Sequence, residues 1–528
     1  MKQISRVLGA AVACLSTLVL AQAPQAKLDA GAIQGSVHDG VVSFKGIPFA
    51  APPVGPLRWR APQPVQPWSG VKQTTEYSAD CMQVPFPSDA APLGTSPAED
   101  CLYLNVWVPQ EKPAAKLPVL VWIYGGGSVN GGSSPAVYSG EHFAKQGLVF
   151  VSFNYRVGRF GYFAHPALTA ENADGMLGNY GYMDQLAALK WIQRNAAAFG
   201  GDVANVTVVG ESAGGGSVHM LLGTALSNGL FQRAIIESAG GRGFGRAYLS
   251  GSTPGGVHSA EDVGLSFAKS VGVDGTGADA LAKLRALSAE TIRGNLNMAT
   301  MRDNLFSGPM IDGKIVVGTQ ADAYLAGTSQ KVPIIVGANS ADAGNAIADS
   351  IQSLFAPYGT YSEEARAAYT SGGESNLETL RGEVGRDRGM LEPARFVVRT
   401  YAARGLPVYE YRFSYVATSM RDKWKGVPHA AELPFVFDTV RAKYGAATAA
   451  SDEKAGEQTM QYWANFAKTG NPNGPGLPEW PMYETGKDVI MNFTNDGPVA
   501  EPDPWKLRLD VNQLFNSIVP ASTVSSTR

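Results

Sequence analysis

The sequence predicts an α/β fold in which a mostly parallel central sheet is flanked by helices. Short apolar, β-branched runs alternate with segments of helical periodicity along most of the 528 residues. Residues 119–124, VLVWIY, are apolar on both faces, as in buried parallel strands. Residues 210–214, GESAG, follow the strand-like run 206–209 and precede further small residues, which indicates a tight turn from a strand into a helix.

Composition places the chain among globular proteins that bind small molecules. With 528 residues and 45% hydrophobic content it can bury a large core. A net charge of -3 with 17% charged residues provides no basic face, so neither nucleic acid nor an anionic membrane surface is an expected partner. Beyond the N-terminus no apolar run is long enough to span a membrane.

The N-terminus resembles a bacterial secretory signal peptide. Lys2 and Arg6 precede an apolar segment, residues 7–20, that ends in small residues. We expect residues 1–21 to be the signal peptide, with cleavage after residue 23 as the alternative, and residues 22–528 to form a single domain that is secreted or periplasmic. Cys14 raises the possibility of a lipoprotein, but Ala11 stands where a leucine-like residue is expected.

Only Cys81 and Cys101 remain in the mature chain. In an exported protein two cysteines at this spacing predict one disulfide, which would close the proline-containing loop between them. Two unpaired buried thiols are the alternative.

In the first part of the chain, several predicted strands precede the first predicted helix. Residues 28–67 alternate short apolar runs with glycine and proline turns, which indicates antiparallel hairpins laid over a core. Residues 98–109 and 148–156 are rich in β-branched and aromatic residues, as in strands. Residues 178–202 then predict an amphipathic helix that leads into the strand before the glycine-flanked serine. The residues that fall at helical spacing are Met183, Leu186, Leu189, Ile192 and Gln193.

The same alternation continues to the end of the chain. Further strands are expected within residues 230–241, 332–344 and 408–416. Alanine-rich residues 259–272 and 278–296 predict helices of a cap or lateral layer. The last eight residues, 521–528, have the composition of a disordered tail.

Two glycine-rich turns carry the chemical signal. Glycine on both sides of Ser212 permits a strained turn that exposes the hydroxyl, as in a nucleophile elbow. A serine that merely caps a helix is the alternative. Residues 125–127 are three glycines after a buried strand, and they would leave backbone N–H groups free to face an oxyanion. A flexible turn is the alternative.

Three longer stretches in order, residues 99–109, 122–127 and 199–214, resemble the type-B carboxylesterases. Residues 178–202 and 465–473 support the likeness, which extends over nearly the whole mature chain. The resemblance implies the α/β-hydrolase fold and hydrolysis of a small-molecule ester, and it implies no cofactor or metal. It also implies that Ser212 is the nucleophile and that the N–H groups of Gly126, Gly127 and Ala213 form the oxyanion hole. Glu211 would then be a buried carboxylate that tunes the site, unless it is only a residue of the turn.

The general base is expected to be a histidine, because an imidazole titrates near neutral pH. The chain has six histidines: His38, His142, His165, His219, His258 and His429. The fold that the resemblance implies places the histidine last in the triad, and His429 matches the family pattern G-x-x-H-x-x-E-x-P-x-x-F. His219 is expected to point into packing.

The acid of the triad departs from the family pattern. Where the family has G-x-N-x-x-E-G, residues 337–343 are GANSADA, so Asp342 stands in place of glutamate. An aspartate can also accept the imidazole N–H, although its shorter side chain requires a shifted loop. Asp349, expected on a helix within residues 345–355, is the competing acid.

Two other functions and the substrate pocket stay open at this level. An amidase or a lactonase would use the same triad, and some relatives are binding proteins without catalysis, although they typically lack the serine or the histidine. Pocket walls are expected from residues 128–137 and 240–249, with Ser128 giving a roomy site. Arg242 and Arg246 either bind a substrate carboxylate or are solvated surface residues.

Overall fold

A computed structural model describes residues 23–111, 114–172, 175–243, 247–251, 256–302 and 305–518. The predicted signal peptide, Arg246 and the C-terminal tail lie outside the described residues. No helix in the described part of the chain is both long and apolar enough to cross a membrane.

A large sheet of eleven strands organises the fold, with the order β16-β15-β14-β13-β12-β11-β7-β8-β6-β4-β3. The described strands in chain order are β1 (Gln25–Lys27), β2 (Ala32–Gln34), β3 (Ser36–His38), β4 (Val41–Pro48), β5 (Val71–Gln73), β6 (Tyr103–Pro109), β7 (Leu117–Ile123), β8 (Val149–Phe153), β9 (Tyr162–Phe163), β10 (Gly178–Asn179), β11 (Gly201–Glu211), β12 (Arg233–Glu237), β13 (Ile334–Asn339), β14 (Val408–Phe413), β15 (Val489–Thr494) and β16 (Gly497–Pro502). Neighbours from β8 through β15 run parallel, and the pairs at both edges are antiparallel. The expected mostly parallel sheet is therefore confirmed.

Helices pack against this sheet, as expected, with α5 on β11 and β12, α13 on β13 and β14, and α16 on β7 and β11. The described helices are α1 (Glu141–Lys145), α2 (Gly158–Gly161), α3 (Pro166–Glu171), α4 (Tyr180–Asn195), α5 (Ala213–Gly223), α6 (Ala260–Ser270), α7 (Ala278–Ala286), α8 (Ala289–Arg293), α9 (Gln320–Ala326), α10 (Ile351–Phe355), α11 (Ser362–Thr370), α12 (Leu377–Arg386), α13 (Glu392–Ala402), α14 (Leu433–Val436), α15 (Val440–Tyr444), α16 (Ala450–Thr469) and α17 (Lys506–Ile518). The stretch 278–296 forms two helices, α7 and α8, because the Ser288 side chain caps a new N-terminus.

Helix α4 forms where the sequence predicts it but is not amphipathic in the expected way. Its residues are buried around most of the circumference, and within the helix only Lys190 and Arg194 are exposed. Polar residues on the buried side have partners: both carboxylate oxygens of Asp184 accept hydrogen bonds from Arg156. A charged side chain can be buried when it is paired with an opposite charge. A polar residue in the helical pattern of α4 therefore does not by itself mark a face that is exposed to solvent.

The parallel arrangement determines where the candidate site lies. The turn after β7 carries the three glycines, β11 ends directly before Ser212, and β13 ends three residues before Asp342. Because these neighbouring strands are parallel, their carboxyl ends share one edge of the sheet. Residues far apart in sequence are thereby brought to a common crevice.

Cys81 and Cys101 form the predicted disulfide. The bridge closes a loop with a sequence separation of 20 residues, and both cysteines are 1% exposed. In the chain-entropy model a loop of this length stabilises the folded state by about 3 kcal/mol. The disulfide therefore fixes the two ends of the loop from residue 81 to residue 101 against each other.

Candidate active site

Ser212 occupies a strained turn between β11 and α5. Its φ is 55° and its ψ is -121°, a conformation that a residue with a side chain rarely adopts. A Cβ on Gly210 would come within 2.4 Å of the Gly214 backbone, and a Cβ on Gly214 within 2.0 Å of the Ile123 carbonyl oxygen. The Ser212 side chain makes no capping hydrogen bond to α5, so the helix-cap alternative is wrong.

The imidazole of His429 lies between Ser212 and Asp342. Its Nε2 is 2.8 Å from Ser212 Oγ, and its Nδ1 is 2.5 Å from Asp342 Oδ1. The His429 side chain is 22% exposed, whereas that of Asp342 is fully buried. The arrangement can move a proton from the hydroxyl to the imidazole while the carboxylate holds the other ring nitrogen.

The Asp342 carboxylate is held by further donors. Its Oδ1 accepts from the Ala343 N–H at 2.7 Å, and its Oδ2 accepts from the Asn339 N–H at 2.8 Å and the Ser238 hydroxyl at 2.6 Å. Burial alone would raise the pKa of Asp342, but the His429 charge and these hydrogen bonds outweigh it and lower the pKa below its ordinary value. Asp342 is thus an ionised carboxylate of fixed orientation.

Hydrogen bonds hold the loop of Asp342 against the loop of His429. The segment before His429 lies against the segment that carries Asp342. Three hydrogen bonds join them: Ala341 N–H to the Val427 carbonyl at 2.9 Å, Val427 N–H to Ser340 Oγ at 2.9 Å, and Asn339 Nδ2 to the Pro428 carbonyl at 2.8 Å. The two loops are close enough for an aspartate to contact the imidazole directly.

Asp349, the competing acid, is placed differently from the expectation. Helix α10 begins at Ile351 with Ser350 as its cap, so Asp349 precedes the helix instead of lying on it. Its side chain is exposed, and its N–H donates to Ser353 Oγ at 3.1 Å. The Ser350–Ser353 capping box starts the helix later than apolar spacing alone indicates.

Glu211 is buried beside the histidine. It is 3% exposed, and its Oε1 is 3.2 Å from His429 Nε2. Burial raises the pKa of Glu211 well above its ordinary value, and the charge of His429 opposes this rise. Burial has the opposite effect on His429 and lowers its pKa, because the charged form of a histidine is the protonated one. The carboxylates of Glu211 and Asp342 outweigh this effect of burial and raise the pKa of His429 above 6.5.

This geometry predicts that Glu211→Gln shifts the pH dependence of activity downward. A general base works only when unprotonated, so activity falls as pH drops through the pKa of His429. Without the Glu211 carboxylate that pKa is lower, and the acid limb of kcat/KM should move to lower pH. Glu237→Gln is the matched control, because Glu237 is fully buried and bonds Trp463 instead of the histidine. An unmoved or upward-moved acid limb in Glu211→Gln would contradict this role.

The glycine turn after β7 presents free backbone donors. Gly126 and Gly127 have φ values of 98° and 62°, which glycine adopts without strain. Their N–H groups donate to no other residue in the part of the chain that the structure describes. Ala213 opens helix α5, so its N–H has no partner within the helix. Among the residues that the structure describes, none accepts a hydrogen bond from the three N–H groups predicted for an oxyanion hole.

A cavity of about 200 Å³ opens onto Ser212 and His429. Its lining residues are Phe86, Ser88, Asp89, Ala90, Ala91, Gly125, Gly126, Gly131, Tyr138, Glu211, Ser212, Met298, His429 and Ala430. Apart from Gly131, no described residue of the expected walls 128–137 and 240–249 lines it. That prediction of the pocket walls was therefore largely wrong. The disulfide loop, residues 81–101, and the distant Met298 supply much of the cavity wall instead.

Two residues expected at the pocket have other environments. Ser128 is 7% exposed and does not line the cavity, so it does not enlarge the site. Arg242 is paired through two nitrogens with Glu392, at 2.7 and 2.5 Å, and lies over the Phe396 ring at 4.0 Å. Its charge is thus already balanced by a protein carboxylate, which fits neither a substrate-binding nor a solvated arginine.

Two contributors were missed by sequence reasoning. Ser238, which bonds Asp342, directly follows β12, the strand beside the Ser212 strand, and its position after a buried parallel strand was a usable signal. Met298, in contrast, reaches the cavity from an irregular segment after α8, and no local pattern marks it.

Comparison with known proteins gives a consistent result. The model of the carboxylesterase family matches residues 22–504. Fumonisin B1 esterase of Sphingopyxis macrogoltabida is 33% identical over 500 residues, which cover 90% of this chain and 88% of that protein. Human cocaine esterase is 33% identical over 495 residues, covering 86% and 83%. Carboxylesterase 1C of Rattus norvegicus is 33% identical over 491 residues, covering 85% of each chain.

Proposed function

The chain belongs to the carboxylesterase family of ester hydrolases, and we propose that it cleaves esters through an acyl-enzyme formed on Ser212. The observation that carries this proposal is the continuous contact from Ser212 Oγ through the His429 ring to Asp342, at 2.8 and 2.5 Å. Such a constellation activates an otherwise weak hydroxyl nucleophile.

Acylation follows from this geometry. His429 Nε2 takes the Ser212 proton as Oγ attacks the ester carbonyl carbon, and the carbonyl oxygen becomes an oxyanion. The N–H groups of Gly126, Gly127 and Ala213 stabilise that oxyanion. When the carbon–oxygen bond to the alcohol breaks, His429 returns its proton to the departing alkoxide. The products of this half-reaction are a free alcohol and an acyl-Ser212 ester.

Deacylation repeats the steps with water. His429 removes a proton from water, whose oxygen attacks the acyl carbon, and Ser212 Oγ leaves with the proton that the imidazole held. The acid is released and the enzyme is restored. Throughout, Asp342 accepts the Nδ1–H and stabilises the imidazolium, but does not itself take the proton.

We also propose that the protein is exported. Lys2 and Arg6 with the following apolar segment support a signal peptide. The Cys81–Cys101 disulfide supports the same conclusion independently, because disulfides persist in oxidising compartments.

Hydrolysis of matched substrates tests the function. Purified protein should hydrolyse para-nitrophenyl butyrate readily and the corresponding para-nitroanilide far more slowly, since an amide nitrogen is the poorer leaving group. A series of acyl chain lengths and alcohol sizes then defines the substrate class, with Ser212→Ala as the background control. Faster turnover of the anilide would favour an amidase. Failure to hydrolyse any ester in the series would overturn the proposal.

A further inference from the structure

Asn130 joins three separate segments beside the glycine turn. It is fully buried, at 0% exposure. Its Nδ2 donates to Gln83 Oε1 at 3.1 Å and to the Val84 carbonyl at 2.7 Å, and its Oδ1 accepts the Met298 N–H at 2.9 Å. One amide group therefore links the disulfide loop, the glycine turn and the segment after α8.

The backbone of Asn130 also closes the glycine turn. Its N–H donates to the Gly126 carbonyl at 2.9 Å, and the Val129 N–H donates to the same oxygen at 3.1 Å. In a trans peptide the carbonyl and the next N–H point in opposite directions. Holding the Gly126 carbonyl toward Asn130 therefore turns the Gly127 N–H away from it, and leaves that donor free.

Gln83 fixes the turn from the side of the disulfide. It is 3% exposed and stands two residues after Cys81. Its Oε1 also accepts the Gly131 N–H at 2.9 Å, while its Nε2 donates to the Gly131 carbonyl at 2.7 Å and the Cys81 carbonyl at 2.9 Å. Gln83 thus ties Asn130 and Gly131 to a covalently closed loop.

The hydrogen bond from the Met298 N–H to Asn130 positions a second segment beside the turn. Met298 lines the cavity, and its Cγ is 3.5 Å from the point where a Cβ on Gly127 would lie. Met301 Sδ is 3.6 Å from the same point. The Asn130 amide therefore also locates the segment that lies beside the Gly127 donor.

We propose that Asn130 is a positioning residue that holds the Gly126–Gly127 turn in the geometry needed to stabilise the oxyanion. The inference rests on the proposed acyl-transfer function. Asn130 does not line the cavity, so it acts through the glycine turn and not by touching the substrate. Preorganised donors lose much of their effect when displaced, and misplacement by about 1 Å can cost about 10²-fold in rate.

Asn130→Ala should lower kcat by about 10- to 100-fold and leave KM within about threefold, because the loss falls on the transition state. Affinity for a trifluoromethyl ketone, whose adduct with the serine carries an oxyanion, should fall by the same factor. Rates are normalised to active sites titrated with a phosphonate, so that a misfolded fraction does not count. Asn130→Asp keeps the acceptor for Met298 but loses both donors, and it should also lose kcat and ketone affinity.

Asn195→Ala is the matched structural control. Asn195 is 2% exposed, accepts the Asp29 N–H at 2.9 Å and donates to the Trp191 carbonyl at 3.1 Å, at the other end of the Ser212 strand. This variant should lose stability without losing normalised kcat. If kcat and ketone affinity of the Asn130 variants equal those of Asn195→Ala, the positioning role is wrong; if Asn130→Ala does not fold, Asn130→Asp alone decides. If the wild-type protein itself fails to bind the ketone, the acyl-transfer function fails instead.

Discussion

Replacing Ser212 by alanine is expected to lower kcat for ester hydrolysis by on the order of 10⁴- to 10⁶-fold, going by serine proteases. The change removes the hydroxyl that lies 2.8 Å from His429 Nε2 and that would carry the acyl group. Alanine keeps the Cβ, so the backbone strain at φ 55° is unchanged, whereas glycine would relieve it. The melting temperature should therefore stay close to that of the wild-type protein.

Initial rates on para-nitrophenyl butyrate, at enzyme concentrations high enough to measure the residual rate, provide the comparison. A folded Ser212→Ala protein that keeps a substantial fraction of wild-type turnover would show that the nucleophile lies elsewhere.

The second large effect is expected for Asp342→Asn, on the order of 10⁴-fold in kcat. An amide in place of the carboxylate favours the tautomer in which the protonated nitrogen faces Ser212. The change should also cost about 1–3 kcal/mol of folding stability. Asn339, Ala343 and Ser238 donate hydrogen bonds to the two carboxylate oxygens, and asparagine keeps only one oxygen as an acceptor.

Asp349→Asn is the paired variant, assayed under the same conditions. Asp349 is exposed and its backbone N–H donates to Ser353 Oγ in α10, so its replacement should leave kcat unchanged. If Asp349→Asn lost its activity while Asp342→Asn kept it, the acid of the triad would have to be Asp349 and not Asp342.

Local patterns were sufficient for much of the fold. The strands β7, β8 and β13 are almost entirely buried and overlap the ranges predicted for them. The hairpin of β15 and β16 was missed, although Asn495, Asp496 and Gly497 at its turn carry a recognisable hairpin signal. The sequence was also enough to name the serine, histidine and aspartate that the structure brings together.

Features that depend on distant partners were not predictable in this way. Arg242 looked free until the fold placed Glu392, 150 residues later, against it. Part of the cavity wall comes from Phe86, residues 88–91 and Met298, which lie in irregular segments. The Met298 N–H donates to Asn130 Oδ1, a residue far from it in sequence. Irregular segments carry no repeating sequence pattern, so their position in the folded protein becomes apparent only from tertiary contacts.

Covalent labelling tests the central claim, that Ser212 is the nucleophile, most directly. Brief treatment of the folded wild-type protein with a fluorophosphonate, followed by peptide mass spectrometry, should find one phosphonyl group on Ser212 with simultaneous loss of esterase activity. The Ser212→Ala protein should take up none. Inactivation with the label on another residue, or full ester hydrolysis by a protein labelled at Ser212, would contradict the account.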